Sequence, residues 1–380
     1  MNSTTNESRN FTDDQIYDLL KQYQFTVIGI YAFVFVAALV ANILLIIIVV
    51  KDHYMQNVTN YFLVNLSVAD LLVTLICMPN AAWRAYTDAY AFGSISCKIS
   101  VYLQGISVAS SIFTITTMAI DRYLAIIRPF GLRHRCFNKT STIVMIFVLW
   151  GLSLVLFLPD LWIAGLTVVP VMSDDVALCR MDYSNFPVPE NVIGIVWFIF
   201  MFAIPGCIMT VAYILMGKTL CSSLPPFDNE STCAQQRNRV MKSRKRVACI
   251  LLLLAVVFAA CWLPYHIMNL IVNVGGQQSA SWSQELGMYL LLLGHANSAL
   301  NPIIYCALSR NFRNSIRNLL KFKITCKRKK NNMNNWAADS SNSGFQVQAS
   351  NKALPLISNQ NNFGISRRQS SQKTTKTCAV

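Results

Sequence analysis

Seven stretches of this sequence are apolar with few interruptions: Phe25 to Val50, Asn60 to Trp83, Cys97 to Ile127, Thr142 to Ile163, Val192 to Met216, Arg246 to Val274 and Trp282 to Leu308. Each is long enough to carry an α-helix across the roughly 30 Å hydrocarbon core of a bilayer, which takes about 20 residues. The pattern predicts an all-α membrane protein, a seven-transmembrane helix bundle over residues 25–308. The odd number of crossings puts the two ends on opposite sides. After the last segment the spacing changes. Phe312, Ile316, Leu319, Leu320 and Ile324 alternate with Arg310, Arg313, Arg317, Lys321 and Lys323, which predicts a short amphipathic helix on the inner membrane surface over residues 309–324.

Composition supports this division of the chain. The 380 residues are 54% hydrophobic and 13% charged, with a mean hydropathy of +0.42, as expected for one membrane domain rather than two or three soluble ones. Residues 1–24 and 325–380 are polar, and from Asn331 onward Asn, Ser, Gln and Lys dominate, as in disordered tails. No internal repeat is visible, which leaves an inverted-repeat transporter without support. A transporter or channel should also show paired intramembrane charges along a path, and Asp70 stands nearly alone.

Charge sets the orientation. Arg128, Arg133, Arg135 and Lys139 follow the third segment, and Arg237, Arg239, Lys242, Arg244, Lys245 and Arg246 lead into the sixth, so these loops are expected in the cytoplasm. The stretch from Arg310 onward carries fourteen Lys and Arg against the one acid Asp339, which places it on the same side and the N-terminus outside. The net charge of +15 is thus mostly a cytoplasmic-face charge facing anionic membrane lipid and a cytoplasmic partner; it calls for no nucleic acid. The outer tail holds three glycosylation sequons at Asn2, Asn6 and Asn10. Two of the twelve Cys, Cys97 and Cys179, fall on the oxidising side outside the apolar cores and are expected to form a disulfide. Cys326, just past the amphipathic segment, is a palmitoylation candidate.

Three constellations interrupt the apolar pattern. Asp70 sits within Leu66-Ser67-Val68-Ala69-Asp70, and a buried carboxylate needs polar partners. Ser111, Asn297 and Asn301 lie at comparable depth. Two readings stay open: a structural hydrogen-bond knot, or a polar cavity holding water and a sodium ion. Asp121-Arg122-Tyr123 closes the third segment, where Arg122 is either a restraint that can be released or a snorkelling surface pair. Pro205, Pro264 and Pro302 lie inside the fifth, sixth and seventh segments, where each removes a backbone hydrogen bond and favours a kink. Trp262, beside Pro264, is either a rotating coupler or bulky core packing.

Together these residues resemble the rhodopsin-like, or class A, G-protein-coupled receptors over roughly Phe25 to Phe322. Asn42, Leu66 to Asp70, Cys97, Asp121-Arg122-Tyr123, Trp150, Pro205, Tyr213, Phe258, Cys261 to Pro264 and Asn301 to Tyr305 occur in that family's order. The resemblance implies a sodium site at Asp70, Ser111, Trp262, Asn297 and Asn301, with no other cofactor. It implies a transmission core at Ile112, Pro205 and Phe258. It also implies a switch at Arg122, Tyr213 and Tyr305 that opens a cytoplasmic cavity to a heterotrimeric G protein. Nucleotide exchange happens on that partner, so the chain is expected not to be an enzyme. Arg367-Arg368-Gln369-Ser370-Ser371 resembles a kinase site, and a phosphorylated tail would recruit arrestin. In one departure, Arg244 stands where many members carry an acid that latches the helix-end Arg, so raised ligand-free activity is expected.

The ligand side is narrowed by absences. Gln104 stands eighteen residues before Arg122, on the same helix face, where amine receptors of the family have Asp, and the seventh segment has no Lys for a Schiff base. A peptide, a lipid or a neutral small molecule remains. The outer tail and loops carry nine acids against four bases, which favours a cationic ligand, although ordinary solvated loops would show the same balance. The span Ala164 to Pro189 is long enough for a hairpin that leaves a pocket open. Val58 to Ser67, Phe92-Gly93, Cys97-Lys98 and Tyr102-Leu103-Gln104 resemble the orexin and allatotropin group of neuropeptide receptors. The candidate pocket residues are Trp83, Gln104, Trp197, Tyr265, His266, Asn269 and His295, the two His having helix packing as their plainer role.

Overall fold

Cap residues and prolines decide where the helices start, widen and bend. The computed structural model describes residues 13–87, 89–127, 137–171, 174–222, 232–275 and 280–318. Helix α1 runs Asp13–Lys51. Helix α2 runs Val58–Leu72 and continues through a π turn, Val73–Cys77, into Met78–Thr87. Helix α3 is Gly93–Ile127, and α4 is Lys139–Phe157 with a further turn at Asp160–Ile163. Strands β1 (Ala164–Val171) and β2 (Asp174–Met181) follow. Helix α5 runs Glu190–Phe198, through a second π turn at Ile199–Ala203, and on as Ile204–Ser222. Helices α6 (Thr232–Gly275), α7 (Ala280–Leu308) and α8 (residues 310–318) complete the order. Helices α1 to α7 each contain a stretch long and apolar enough to cross a membrane.

The starts of α1 and α6 lie well before the apolar segments at Phe25 and Arg246. Gln, Leu, Lys and Arg, frequent across the two extensions, are good helix formers, so a helix continues past the apolar boundary that marks the hydrocarbon edge. Two further Asn-x-Thr triplets, Asn57-Val58-Thr59 and Asn138-Lys139-Thr140, serve the helix starts. Asn57 Oδ1 accepts from Asn60 N at 3.1 Å and Asn138 Oδ1 accepts from Ser141 N at 2.8 Å, so both asparagines are N-caps. The π turns have a common cause. Each ends two residues before a proline, Pro79 in α2 and Pro205 in α5, whose ring excludes the carbonyl four residues back. Pro79 was not among the kink prolines expected from sequence.

Helix α3 is the axis of the bundle: 67% of its most apolar window is buried, against 17% in α4 and in α5. Phe62, Leu66, Ile112, Ile115, Phe258 and Trp262 belong to one core around it. Large apolar side chains such as Phe33, Phe147 and Val155 point outward, the arrangement expected where the solvent is lipid. Asn65 joins three helices, donating to Thr114 Oγ1 at 2.8 Å and accepting from Trp150 Nε1 at 2.7 Å. Asn42 donates to Ser298 O at 2.9 Å and so ties α1 to α7.

The hairpin expected between Ala164 and Pro189 is present. Strands β1 and β2 pair antiparallel from Ala164↔Met181 to Val171↔Asp174. The expected disulfide, Cys97–Cys179, fastens β2 to the start of α3, and Tyr90 N donates to Ala177 O at 2.8 Å. At the other end α8 lies under the bundle as its amphipathic pattern predicts. Phe312 is fully buried edge-on to Tyr305, and Ser315 Oγ donates to Asp52 Oδ2 at 2.5 Å. Asn2, Asn6, Asn10 and Cys326 lie outside the described residues.

Candidate functional site

The hairpin roofs one side of a cavity of about 670 Å³ that opens at its end of the bundle. Five of the seven expected pocket residues line it: Gln104 from α3, Trp197 from α5, and Tyr265, His266 and Asn269 from α6. Trp83 does not. It is 42% exposed and meets Phe92 edge-on at 5.8 Å, because the π turn in α2 carries an extra residue and presents Asn80, Ala81 and Arg84 to the cavity instead. His295 lies below the lining, fully buried, its Nε2 3.4 Å from Gln104 Oε1 and its ring against Trp262 and Tyr31. The walls are set by close approaches. Trp197 stacks on Phe157 at 5.5 Å, and Phe157 sits where a Cβ on Gly105 would otherwise stand. Sequence reading missed Arg84, Asp160, Arg180, Tyr183 and Glu190, all of which line the cavity. At its edge, Ser184 holds the Asp182 carboxyl below the usual carboxylate range, through its side chain first and then through its backbone N, which donates to Asp182 Oδ1 at 2.9 Å. Burial pushes the neighbouring Tyr183 phenol up, with Glu190 adding to the effect.

Trp262 forms the floor, 2% exposed, with Tyr265, His266 and His295 around it. It lies flat against α7 at Gly294, where a Cβ would stand 2.8 Å from the indole. Beneath it Phe258 meets Phe202 at 6.3 Å, and Ile112 packs in the same core. Pro205 is buried in α5 just past its π turn.

Deeper still lies the polar knot. Asn301 donates to Asp70 Oδ2 at 3.1 Å, both residues being 2% exposed. Ser111 turns instead to its own helix and donates to Ser107 O at 2.9 Å. Asn297 Oδ1 and Asn301 Oδ1 are enclosed without a hydrogen-bond partner. One carboxylate and two unengaged amide oxygens form a hard-oxygen set that fits a small cation such as sodium. Trp262, also expected in this set, meets the rings of Tyr265, His266 and His295.

At the opposite end Arg122 pairs with Asp121 and donates through Nη2 to Thr59 Oγ1 at 2.7 Å. Tyr305 OH donates to Asn60 Oδ1 at 2.9 Å, and Asn60 Nδ2 in turn reaches Met55 O at 2.6 Å. Tyr123 and Tyr213 pack with Ile126, Ala212, Met216 and Ala248 between α3, α5 and α6, and Tyr213 OH has no partner. Arg122, Asn60, Thr59 and Tyr305 line a smaller cavity of about 420 Å³. Pro302 is buried in α7 a turn above it, and Pro264 lies in α6 beside Trp262. Thr59 and Asn60 carry no sequence signal beyond polarity at a helix start.

Comparison with known proteins agrees with this geometry. Neuropeptide FF receptor 1 of Rattus norvegicus is 29% identical over 301 residues, which cover 75% of this chain and 68% of that receptor. Its Homo sapiens counterpart is 28% identical over 327 residues, covering 82% and 74%. Both are named for a neuropeptide, the class the motifs suggested, though for neuropeptide FF rather than the orexin and allatotropin group. The profile of the 7 transmembrane receptor (rhodopsin family) matches residues 41–305, from within α1 to Tyr305 in α7. The chain belongs to the rhodopsin family of seven-transmembrane receptors.

Proposed function

We propose that this chain is a plasma-membrane receptor, N-terminus outside, that binds an extracellular neuropeptide and activates heterotrimeric G proteins. Members of its family are receptors and not enzymes. The observation that carries the reading is the stacked arrangement along one axis. An open cavity of about 670 Å³ sits directly on Trp262, and the Arg122 cavity lies at the far end of the same bundle. That volume is within the range of ligand pockets and suits the terminal residues of a peptide, and the hairpin stands aside from its mouth. The names of the two relatives favour a peptide over a lipid or neutral small molecule. Ligand pressed on Trp262 would shift α6 against Gly294 of α7 and move Phe258 against Phe202 of α5, and opening at the foot would separate Arg122 from Thr59.

Four further roles belong to this reading. A sodium ion held by Asp70, Asn297 and Asn301 would neutralise the buried carboxylate and favour the closed bundle. Glycans on Asn2, Asn6 and Asn10, a palmitoyl anchor on Cys326, and receptor kinases and arrestin at the tail would fit the topology. The test is a calcium and cAMP readout in cells expressing the chain, challenged with amidated neuropeptides that include neuropeptide FF and, in parallel, with lipids. A submicromolar peptide response abolished by Arg122→Ala is expected; a response to lipids alone would overturn the peptide reading.

A further inference from the structure

The outer cavity contains a carboxylate that the protein leaves without a partner. Asp160 begins the turn Asp160–Ile163, after Pro159 and at the end of α4, and it is 3% exposed. It lines the cavity, and its Oδ1 is enclosed with no hydrogen-bond donor among the described residues. No described donor nearby is bonded to that oxygen. Lys98 Nζ reaches Leu161 O at 3.0 Å, and Tyr102 OH donates to Leu154 O at 3.1 Å. The bases that line the same cavity, Arg84 and Arg180, are exposed, on α2 and β2. Glu190, the other acid of the lining, differs from Asp160 in this respect. With the Asn273 amide turned to satisfy both its ends, its nitrogen donates to Glu190 Oε1 at 2.9 Å.

A buried carboxylate is strongly unfavourable unless it is paired and hydrogen-bonded, and a recess that keeps one is a recess prepared for a donor from outside the chain. We propose that Asp160 anchors a guanidinium group of the ligand, an arginine side chain entering the cavity toward α4. This rests on the peptide-receptor reading and sharpens it, since it assigns the cation preference to one deep residue rather than to the acidic loops. A guanidinium suits the recess because it presents paired planar donors and is more weakly hydrated than an ammonium, so less is lost when it is enclosed.

The test uses the full-length receptor purified in detergent, with arginine amide, lysine amide and citrulline amide at millimolar concentration as probes of thermal unfolding. Arginine amide should raise the unfolding temperature of the native receptor, by linkage, while citrulline amide, which lacks the charge, should not. Asp160→Asn should abolish that shift. The same variant should raise the ligand-free unfolding temperature, because a neutral amide replaces an unpaired carboxylate; this separates loss of the anchor from loss of the fold. In cells, peptides containing arginine should lose about 30-fold or more in potency on Asp160→Asn, the scale of breaking an enclosed charge pair. Equal stabilisation by arginine and citrulline amides, stabilisation by lysine amide alone, no stabilisation of the native receptor, or a shift that survives Asp160→Asn would each overturn the proposal. If the Asp160-dependent shift is present and no peptide signals, the anchor stands and the peptide reading fails. If peptides signal with unchanged potency in Asp160→Asn, the anchor fails and the peptide reading stands.

Discussion

The two ends of the bundle treat their polar side chains in opposite ways. At the Arg122 end Arg122 has Asp121 and Thr59, Tyr305 has Asn60, Asn60 has Met55, and Ser315 has Asp52. From the outer cavity to the middle of the bundle, Asp160 Oδ1, His295 Nδ1, Asn297 Oδ1, Asn301 Oδ1, Ser107 Oγ and Ser110 Oγ are enclosed without a protein partner. The satisfied end is a closed latch. The unsatisfied end holds acceptors that a ligand, an ion or water can engage, so binding there has free energy to gain without breaking anything first. Tyr213 OH is the exception at the foot. It is placed between α3, α5 and α6, where outward motion of α6 would bring it a partner.

The largest expected effect comes from detaching the outer end. Removing the Cys97–Cys179 bridge by Cys97→Ser with Cys179→Ser frees β2 from α3 and should cost about 2 to 4 kcal/mol of stability. Peptide binding should fall to near background in saturation experiments, while ligand-free signalling, which depends on the Arg122 end, should persist. Unimpaired binding would mean that the strand pairing alone shapes the mouth.

Gly294→Ala attacks the joint between the two ends. The added Cβ would stand 2.8 Å from the Trp262 ring, and this position is backbone, so the indole must tilt. Overpacking of this kind costs about 1 to 3 kcal/mol. The expected readouts are a lower unfolding temperature and a changed ligand-free signal with a peptide affinity less affected than the signal. A variant with native stability and native basal output would show that Trp262 has slack.

A paired substitution tests the contrast itself. Asn60→Ala leaves the Tyr305 hydroxyl buried without its acceptor and should destabilise by about 1 to 3 kcal/mol, with a rise in ligand-free signalling. Asn297→Leu removes an enclosed oxygen that has no partner and should leave ligand-free stability nearly unchanged, because no internal hydrogen bond is lost. If a sodium ion uses that oxygen, stabilisation by added sodium chloride over potassium chloride should shrink in the same variant. Equal destabilisation by both changes would erase the distinction between the two ends.

Much of the fold was legible in the sequence because lipid imposes it: seven apolar runs and two cysteines outside the cores leave few arrangements. What escaped has three physical causes. Asp160 reads as a polar break at a helix end, and only the packing of its turn against α3 and β1 makes it buried. Thr59 and Asn60 acquire roles through partners on α3 and α7, with the Asn60–Tyr305 bond spanning 245 positions. Trp83 was misplaced because an α-helical wheel assumes a constant turn, whereas the π turn before Pro79 rotates everything beyond it. Pro205 was legible as a breaker, but a kink was expected where the chain uses a wide turn.

The smallest expected effect lies at α8, where the satisfied end is most easily loosened. Ser315 is 6% exposed, and its hydroxyl meets the Asp52 carboxylate, which also caps the short turn His53–Met55 by accepting from Tyr54 N at 3.0 Å. One carboxylate therefore fixes both the loop after α1 and the helix after α7. Ser315→Ala removes one of these bonds while Phe312 keeps α8 seated against Tyr305, so the loss should be about 1 kcal/mol. Hydrogen exchange over residues 310–318 should speed modestly, with basal signalling little changed. Ser315→Glu sets like charges in the same contact and should release the segment further. If the two variants behave alike, the buried Phe312 and not the Asp52 contact holds α8, and the latch at this end is apolar rather than hydrogen-bonded.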